Sequence, residues 1–211
     1  MCSRYPFYED LCIVDGLCRP LVISLLDTLV ERLHLHNVPT RDGFVVATGN
    51  PSRHCGYFAL CGEDLYLLEL IDEFCGGMSD GHELLAFLPG GASGGILPAS
   101  LAGEPLDFDT LQPHGAFIGS AAVIVLSQQD ALPDAARNLM RFFRHESCGQ
   151  CTPCRAGTAK TVELLGQPRW DVALLQDLSR TMIDASICGL GQAAPNPVLS
   201  LLRHFPEVIS R

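Results

Sequence analysis

Three cysteines recur at intervals of three in the run Glu146-Ser147-Cys148-Gly149-Gln150-Cys151-Thr152-Pro153-Cys154-Arg155, and a fourth, Cys188, follows thirty-four positions after Cys154. Thiolates spaced as C-x2-C-x2-C are too crowded to pair as disulfides among themselves without strain, but a short loop can turn each sulfur toward one centre. A remote fourth sulfur completes an all-thiolate set of the kind that holds an iron–sulfur cluster. The spacing therefore predicts a [4Fe–4S] cluster on Cys148, Cys151, Cys154 and Cys188, and single-electron chemistry. Two other readings stay open on spacing alone. One is structural zinc, although zinc sites usually pair two C-x2-C knuckles and the second is missing here. The other is a set of unligated core cysteines.

The neighbours of the cysteines fit a tight ligand loop. Gly149 permits a sharp backbone turn, and Pro153 stiffens the entry to a following helix. Arg155 offers positive charge beside the third ligand, and His145 and Glu146 stand just before the first. Gly189 and Gly191, flanking Leu190, are expected to end a helix and so present the Cys188 thiolate at a fixed place.

Helices must carry this loop. Asp134–His145, Pro153–Leu165, Asp171–Ala185 and Pro197–Phe205 repeat apolar residues at three and four, the period of a packed helix face, and predict a four-helix bundle. Upstream, residues 43–128 carry short apolar runs punctuated by glycine. Phe44–Ala47 and Tyr57–Leu60 read as paired strands about Asn50-Pro51-Ser52, and Leu84–Leu88 and Ala121–Leu126 as two further strands. Asp64–Cys75 reads as a helix stopped by Gly76-Gly77. The fold class is thus α+β: a small β-grasp-like domain over residues 43–128, then an all-α iron–sulfur domain over 129–211. Residues 1–42 form an unplaced extension with an amphipathic helix from Leu21 to Leu33.

The chain has 211 residues, 47% of them hydrophobic and 18% charged, with a formal net charge of −10, so it can build a core and is not disordered. No basic stripe with interleaved aromatics suits nucleic acid. Ala116–Leu126 is too short to span a bilayer, and the start of the chain has no signal-peptide core. Ten cysteines in that context indicate a reducing compartment, the cytoplasm, rather than a disulfide framework. Cys2, Cys12, Cys18, Cys55, Cys61 and Cys75 have no recognised ligand spacing. The run Pro89–Gly95 lacks the lysine of a phosphate loop and reads as a β-grasp turn.

The run HESCGQCTPCRAG, residues 145–157, resembles the cluster loop of the flavin- and NADH-binding subunit of respiratory complex I and its relatives in formate dehydrogenases and bidirectional NiFe-hydrogenases. ASICGLGQAAPNPV, residues 185–198, is most similar to the NAD-dependent formate dehydrogenase β subunit. LYLLELIDEFCGG (65–77) and LPGGASGGIL (88–97), with residues 106–109 and 119–126, resemble the same family's soluble-ligand-binding β-grasp domain. The resemblance covers roughly residues 44–205. It implies that Cys148, Cys151, Cys154 and Cys188 ligate a [4Fe–4S] cluster exchanging electrons with flavin mononucleotide (FMN), in a complex with flavin-binding and other iron–sulfur subunits.

The family's glycine-rich nucleotide-binding stretch has no counterpart here, since residues 1–42 hold only Gly16. The chain is therefore expected to match the C-terminal half of such a subunit, with FMN and NAD bound only by a missing domain or a partner. The alternatives are a non-catalytic assembly module that docks on a separate flavin-binding subunit, and a zinc-stabilised binding domain.

Overall fold

A computed structural model describes residues 44–45, 59–60, 66–74, 77–107, 109–119 and 122–210. The expected helix at 21–33 and the cysteines other than Cys148, Cys151, Cys154 and Cys188 lie outside these residues. Strands β1 (Phe44–Val45) and β2 (Ala59–Leu60) pair antiparallel, Phe44 opposite Leu60, within the two apolar runs read as paired strands. They form a sheet of their own. The second sheet has three antiparallel strands in the order β4-β3-β5: β3 is Leu84–Ala92, β4 Leu97–Pro98 and β5 Ile124–Ser127.

Strand β3 is longer than its apolar run suggests, because Pro89, Gly90 and Gly91 continue it. The glycines have a spatial reason. A side chain on Gly90 would collide with the backbone of Phe117 and Ile118, which passes directly alongside. Gly91, at φ 73°, then starts the turn, and the Gly94 N–H closes it on the Gly91 carbonyl at 3.0 Å. The turn expected over 89–95 is thus confined to its second half.

Because successive strand residues face opposite ways, β3 is covered twice. Phe87 and Val125 point to one side, where they pack with Leu67, Leu70 and Ile71 of the short helix α1 (Leu67–Glu69) and the π turn that continues it (Leu70–Phe74). Gly77 ends that segment at φ 85°, its N–H reaching the Ile71 carbonyl at 2.8 Å, so the glycine stop read from the sequence holds. Ala86 and Leu88 point to the other side, against Leu132, Ala136 and Leu139 of α2 (Leu132–Glu146) and Leu201 of α6 (Asn196–His204).

Helices α2 and α6 are in turn buried on a second face. Met140 and Phe143 of α2, with Val198 and Leu202 of α6, join Val162 and Leu165 of α3 (Thr152–Leu165) and Leu175 and Met182 of α4 (Val172–Ala185). A five-residue helix, α5 (Gly189–Ala193), separates α4 from α6. The bundle of α2, α3, α4 and α6 therefore leans on the sheet through two shared helices. No helix among the described residues is long and apolar enough to cross a membrane.

Polar contacts lock α6 to the sheet. Ser200 Oγ accepts the buried Ile96 N–H at 2.7 Å while donating to the Asn196 carbonyl at 2.8 Å, and Asn196 Nδ2 donates to the Ser93 carbonyl at 3.0 Å. A Ser200→Ala substitution strands the Ile96 N–H without an acceptor. It should lower stability by about 1–3 kcal/mol, seen as a lower urea midpoint at unchanged slope.

Candidate metal centre

The cysteine loop exists because α2 stops. Its last turn carries Arg144 and His145, favourable at a helix C-terminus, and Ser147 leaves the helix at φ −63°, ψ 125°. Gly149 then takes the left-handed φ of 76° that a side chain resists, with nothing within 4 Å of where its Cβ would be. Cys151 sits at the N-cap of α3, Pro153 in its first turn and Cys154 at its third position. Proline fits there because the first N–H groups of a helix have no partner inside it.

Hydrogen bonds hold the loop against α3. The Cys154 thiol is 3.3 Å from Ser147 Oγ, which also accepts the Gly149 N–H at 3.3 Å. Arg155 reaches back to the Gly149 carbonyl, its Nη1 donating at 2.6 Å. The arginine expected to offset thiolate charge therefore also braces the turn between the first two cysteines. His145 and Glu146 are exposed.

The segment carrying Cys188 packs onto this turn. Helix α4 ends at Ala185, where the Ser186 N–H closes on the Met182 carbonyl at 3.2 Å. Gly189 and Gly191 do not end a helix, as the sequence suggested. They lie in α5, whose N-cap is Cys188. The reason is space: a Cβ on Gly191 would stand 2.5 Å from Ser186 Oγ and 2.8 Å from Cys154 Cβ. Gly157, one turn beyond Cys154, plays the same part between α3 and α4, where a Cβ would meet Met182 Cγ at 2.6 Å. Gln192 Nε2 holds the Ser186 carbonyl at 3.0 Å.

These contacts bring Cys188's segment to Cys151 and Cys154. The N–H of Ile187 points at the Cys151 sulfur and, with the N–H of Cys154, holds its thiol below the ordinary cysteine range against the opposing effect of desolvation. Cys154 is buried, Cys151 half-buried, and Cys148 and Cys188 are exposed; all four are free thiols. Among the described residues no three His, Cys, Asp or Glu side chains stand close enough together to hold a metal ion, so the four thiols are near one another without converging on one point. The donor set fits an iron–sulfur cluster in its chemistry: thiols on two segments locked together by glycines without room for a side chain, backbone N–H groups aimed at sulfur, and a buried Ser186 hydroxyl without a partner. Sequence reasoning assigns no contact to Ser147, Ser186 or Gln192; their one signal is that each lies within four residues of a cysteine.

Residues 134–211 match the NADH-ubiquinone oxidoreductase-F iron–sulfur binding region, a region that indicates a [4Fe–4S] cluster. The chain is 40% identical over 154 residues to the mitochondrial NADH-ubiquinone oxidoreductase 51 kDa subunit of Aspergillus niger, covering 69% of this chain and 31% of that one. It is 41% identical over 154 residues to the mitochondrial NADH dehydrogenase [ubiquinone] flavoprotein 1 of Dictyostelium discoideum, covering 69% and 32%. Among solved structures, a chain of an NAD+-reducing [NiFe]-hydrogenase in the H2-reduced state matches with a TM-score of 0.66 at 28% identity, over 78% of this chain and 28% of that one. The chain thus spans about a third of the length of these curated relatives.

Two outcomes follow. Gly191→Ala should force the turn at residues 186–188 off α3. Iron uptake should then be largely lost while the far-ultraviolet circular dichroism keeps its helical signal. In iron-free protein, Cys151 should reach half its maximal alkylation rate by iodoacetamide at a lower pH than a free cysteine, about 8.5. Peptide-resolved mass spectrometry across a pH series checks this, and a midpoint equal to that of free cysteine would contradict it.

Proposed function

We propose that Cys148, Cys151, Cys154 and Cys188 are the four ligands of the cluster, and that the chain relays single electrons within an NAD-dependent multi-subunit oxidoreductase. On this reading a flavin mononucleotide, held by another domain or subunit, exchanges electrons with the cluster, which takes up and releases them one at a time. The observation that carries the ligand assignment is the packing of the Cys188 segment on the first turn of α3, through Gly191 and the Ile187 N–H.

The chain's own residues divide the work. The Gly149 turn and the Arg155 clamp fix the loop. Backbone N–H groups of Cys154 and Ile187 favour negative charge on Cys151. Burial of Cys154 shields one side, and the exposure of Cys148 and Cys188 leaves the other facing outward. Ile187, 78% exposed beside Cys188, and an apolar groove of about 550 Å³ along α3 and α4, lined by Pro153, Ala156, Gly157 and Leu178 among others, are surfaces on which neighbouring subunits would pack.

The two-part division, a β-grasp-like unit to residue 128 and an iron–sulfur unit from 129, belongs to this proposal. It is supported by the end of β5 at Ser127 and the start of α2 at Leu132. So does a place in the cytoplasm, where thiols stay reduced. The enzyme's terminal substrate would be met elsewhere in the complex. By their names the relatives above act on ubiquinone or hydrogen.

Anaerobic reconstitution should give a brown protein with about four irons and four sulfides per chain. Replacing Cys188 with serine should remove most of that iron, although Cys148, Cys151 and Cys154 are intact. Colourless protein carrying stoichiometric zinc, or full iron uptake by the Cys188→Ser variant, would overturn the assignment.

A further inference from the structure

Ser186 stands out among the buried hydroxyls of the bundle. Ser179, Ser200 and Thr158 each bond back to the carbonyl four residues earlier, at 2.7, 2.8 and 2.8 Å. Such a bond is the ordinary fate of a serine or threonine on a helix. Ser186, only 6% exposed, closes α4 through its backbone N–H, yet its Oγ has no hydrogen-bond partner. Thr161 shares that lack, but it lies in the middle of α3, seven residues beyond Cys154.

The backbone of Ser186 is held at both its polar groups. Its N–H is bound to the Met182 carbonyl and its own carbonyl to Gln192. Gly191 crowds it so closely that a methyl group there would lie 2.6 Å from Ser186 Cβ. The same absent methyl group would stand 2.5 Å from Ser186 Oγ and 2.8 Å from Cys154 Cβ, so the unpartnered hydroxyl lies beside the first turn of α3, whose N-cap is Cys151. It favours negative charge on the Cys151 sulfur without completing a hydrogen bond to it. A neutral thiol is a weak acceptor, whereas a thiolate is a strong one.

Building on the assignment of Cys151 as a ligand, we propose that Ser186 sets the reduction potential of the centre: its hydroxyl donates a hydrogen bond to the Cys151 sulfur in the ligated state, held there by the gap at Gly191. An added electron makes the ligand sulfurs more negative. A donor at sulfur then stabilises the reduced form more than the oxidised form and raises the potential. The Ile187 N–H also points at this sulfur, but it is backbone and present whatever residue stands at 187. The hydroxyl is the donor a substitution can remove. Ser186 is a positioning residue for charge and not a ligand.

The test uses the full 211-residue chain, anaerobically reconstituted, as wild type, Ser186→Ala and Ser179→Ala. Removing the Ser186 oxygen vacates no existing hydrogen bond, so iron and sulfide contents should equal those of the wild type. In a potentiometric titration followed by electron paramagnetic resonance, Ser186→Ala should shift the one-electron equilibrium about tenfold toward the oxidised form, about 59 mV lower. Ser179→Ala should not move it. The Fe–S(Cys) bands in resonance Raman should shift in D2O for the wild type and lose that sensitivity in Ser186→Ala. An unchanged potential with unchanged bands at full iron content would overturn the proposal while leaving the four ligands standing. A shift of the same size in Ser179→Ala would also overturn it. Wild-type protein that takes up no iron would remove the ligand assignment and this inference together.

Discussion

Two pieces of backbone with no room for a side chain between them set the geometry of the whole centre. Gly191 lies against Cys154 and Ser186, and Gly157 lies against Met182. Three of the four cysteines come from one loop and would be near each other in many folds. Cys188 comes from another segment, and only packing can bring it in. The two glycines allow α3 and the end of α4 to approach until the Ile187 N–H faces the Cys151 sulfur. Everything further out in the molecule serves that approach. Met182 and Leu175 of α4 are buried with Val162 and Leu165 of α3, and the same cluster takes in Met140 and Phe143 of α2. Helix α2 is fastened to the sheet by its opposite face, so the position of Cys188 depends on a strand far away in sequence.

Electrostatics explains why the site needs more than sulfur. Collecting thiolates concentrates negative charge, which is costly unless donors face it. The chain supplies those donors chiefly from its backbone. The N–H groups of Cys154 and Ile187 act on Cys151, and the first turn of α3 offers its unpaired N–H groups to the same region. Backbone donors keep their place whatever the redox state, because the helix start and the braced turn already fix them. Arg155, the cation nearest in sequence, spends its best hydrogen bond on the Gly149 carbonyl at 2.6 Å. Its charge acts from the edge of the loop.

The parts of this arrangement that are legible in the sequence are those encoded by short-range patterns. The C-x2-C-x2-C run announces thiolate chemistry, Gly149 marks a left-handed turn, and apolar residues at three and four give the helices to within a few residues. The helix expected from Asp171 starts one residue later, with Asp171 as its N-cap, and the Asp171 Oδ1 accepts the Leu174 N–H at 3.0 Å. Glycine is the residue most open to misreading, because it answers two needs. At Gly77 and Gly149 the need is a positive φ. At Gly90, Gly157 and Gly191 it is the absence of a Cβ, which depends on what lies opposite and leaves no local trace. Reading Gly191 as a helix stop applies the first meaning where the second holds; at Gly189 neither need is seen, since a Cβ there would meet nothing within 4 Å. Ser147 and Ser186 escape sequence reasoning because what surrounds them is set by packing, and serine is common at any helix end.

The exposure of the four cysteines gives the centre a direction. Cys154 is 4% exposed, while Cys148 and Cys188 are open. On the proposed assignment, low polarity around Cys154 would disfavour added charge there, and water and backbone dipoles around the other sulfurs would favour it, so an incoming electron would settle toward the outer side. That is also the side where Ile187 projects. A large apolar side chain so exposed beside Cys188 is costly for an isolated chain and useful where a neighbouring surface covers it. Covering it would exclude water from Cys188 and shorten the path across which an electron must pass. The same contact would raise the weight of the few fixed donors, since each acts more strongly as the local dielectric falls. In such an assembly the potential would be set jointly, by donors built into this chain and by the dryness that a partner imposes on its open face.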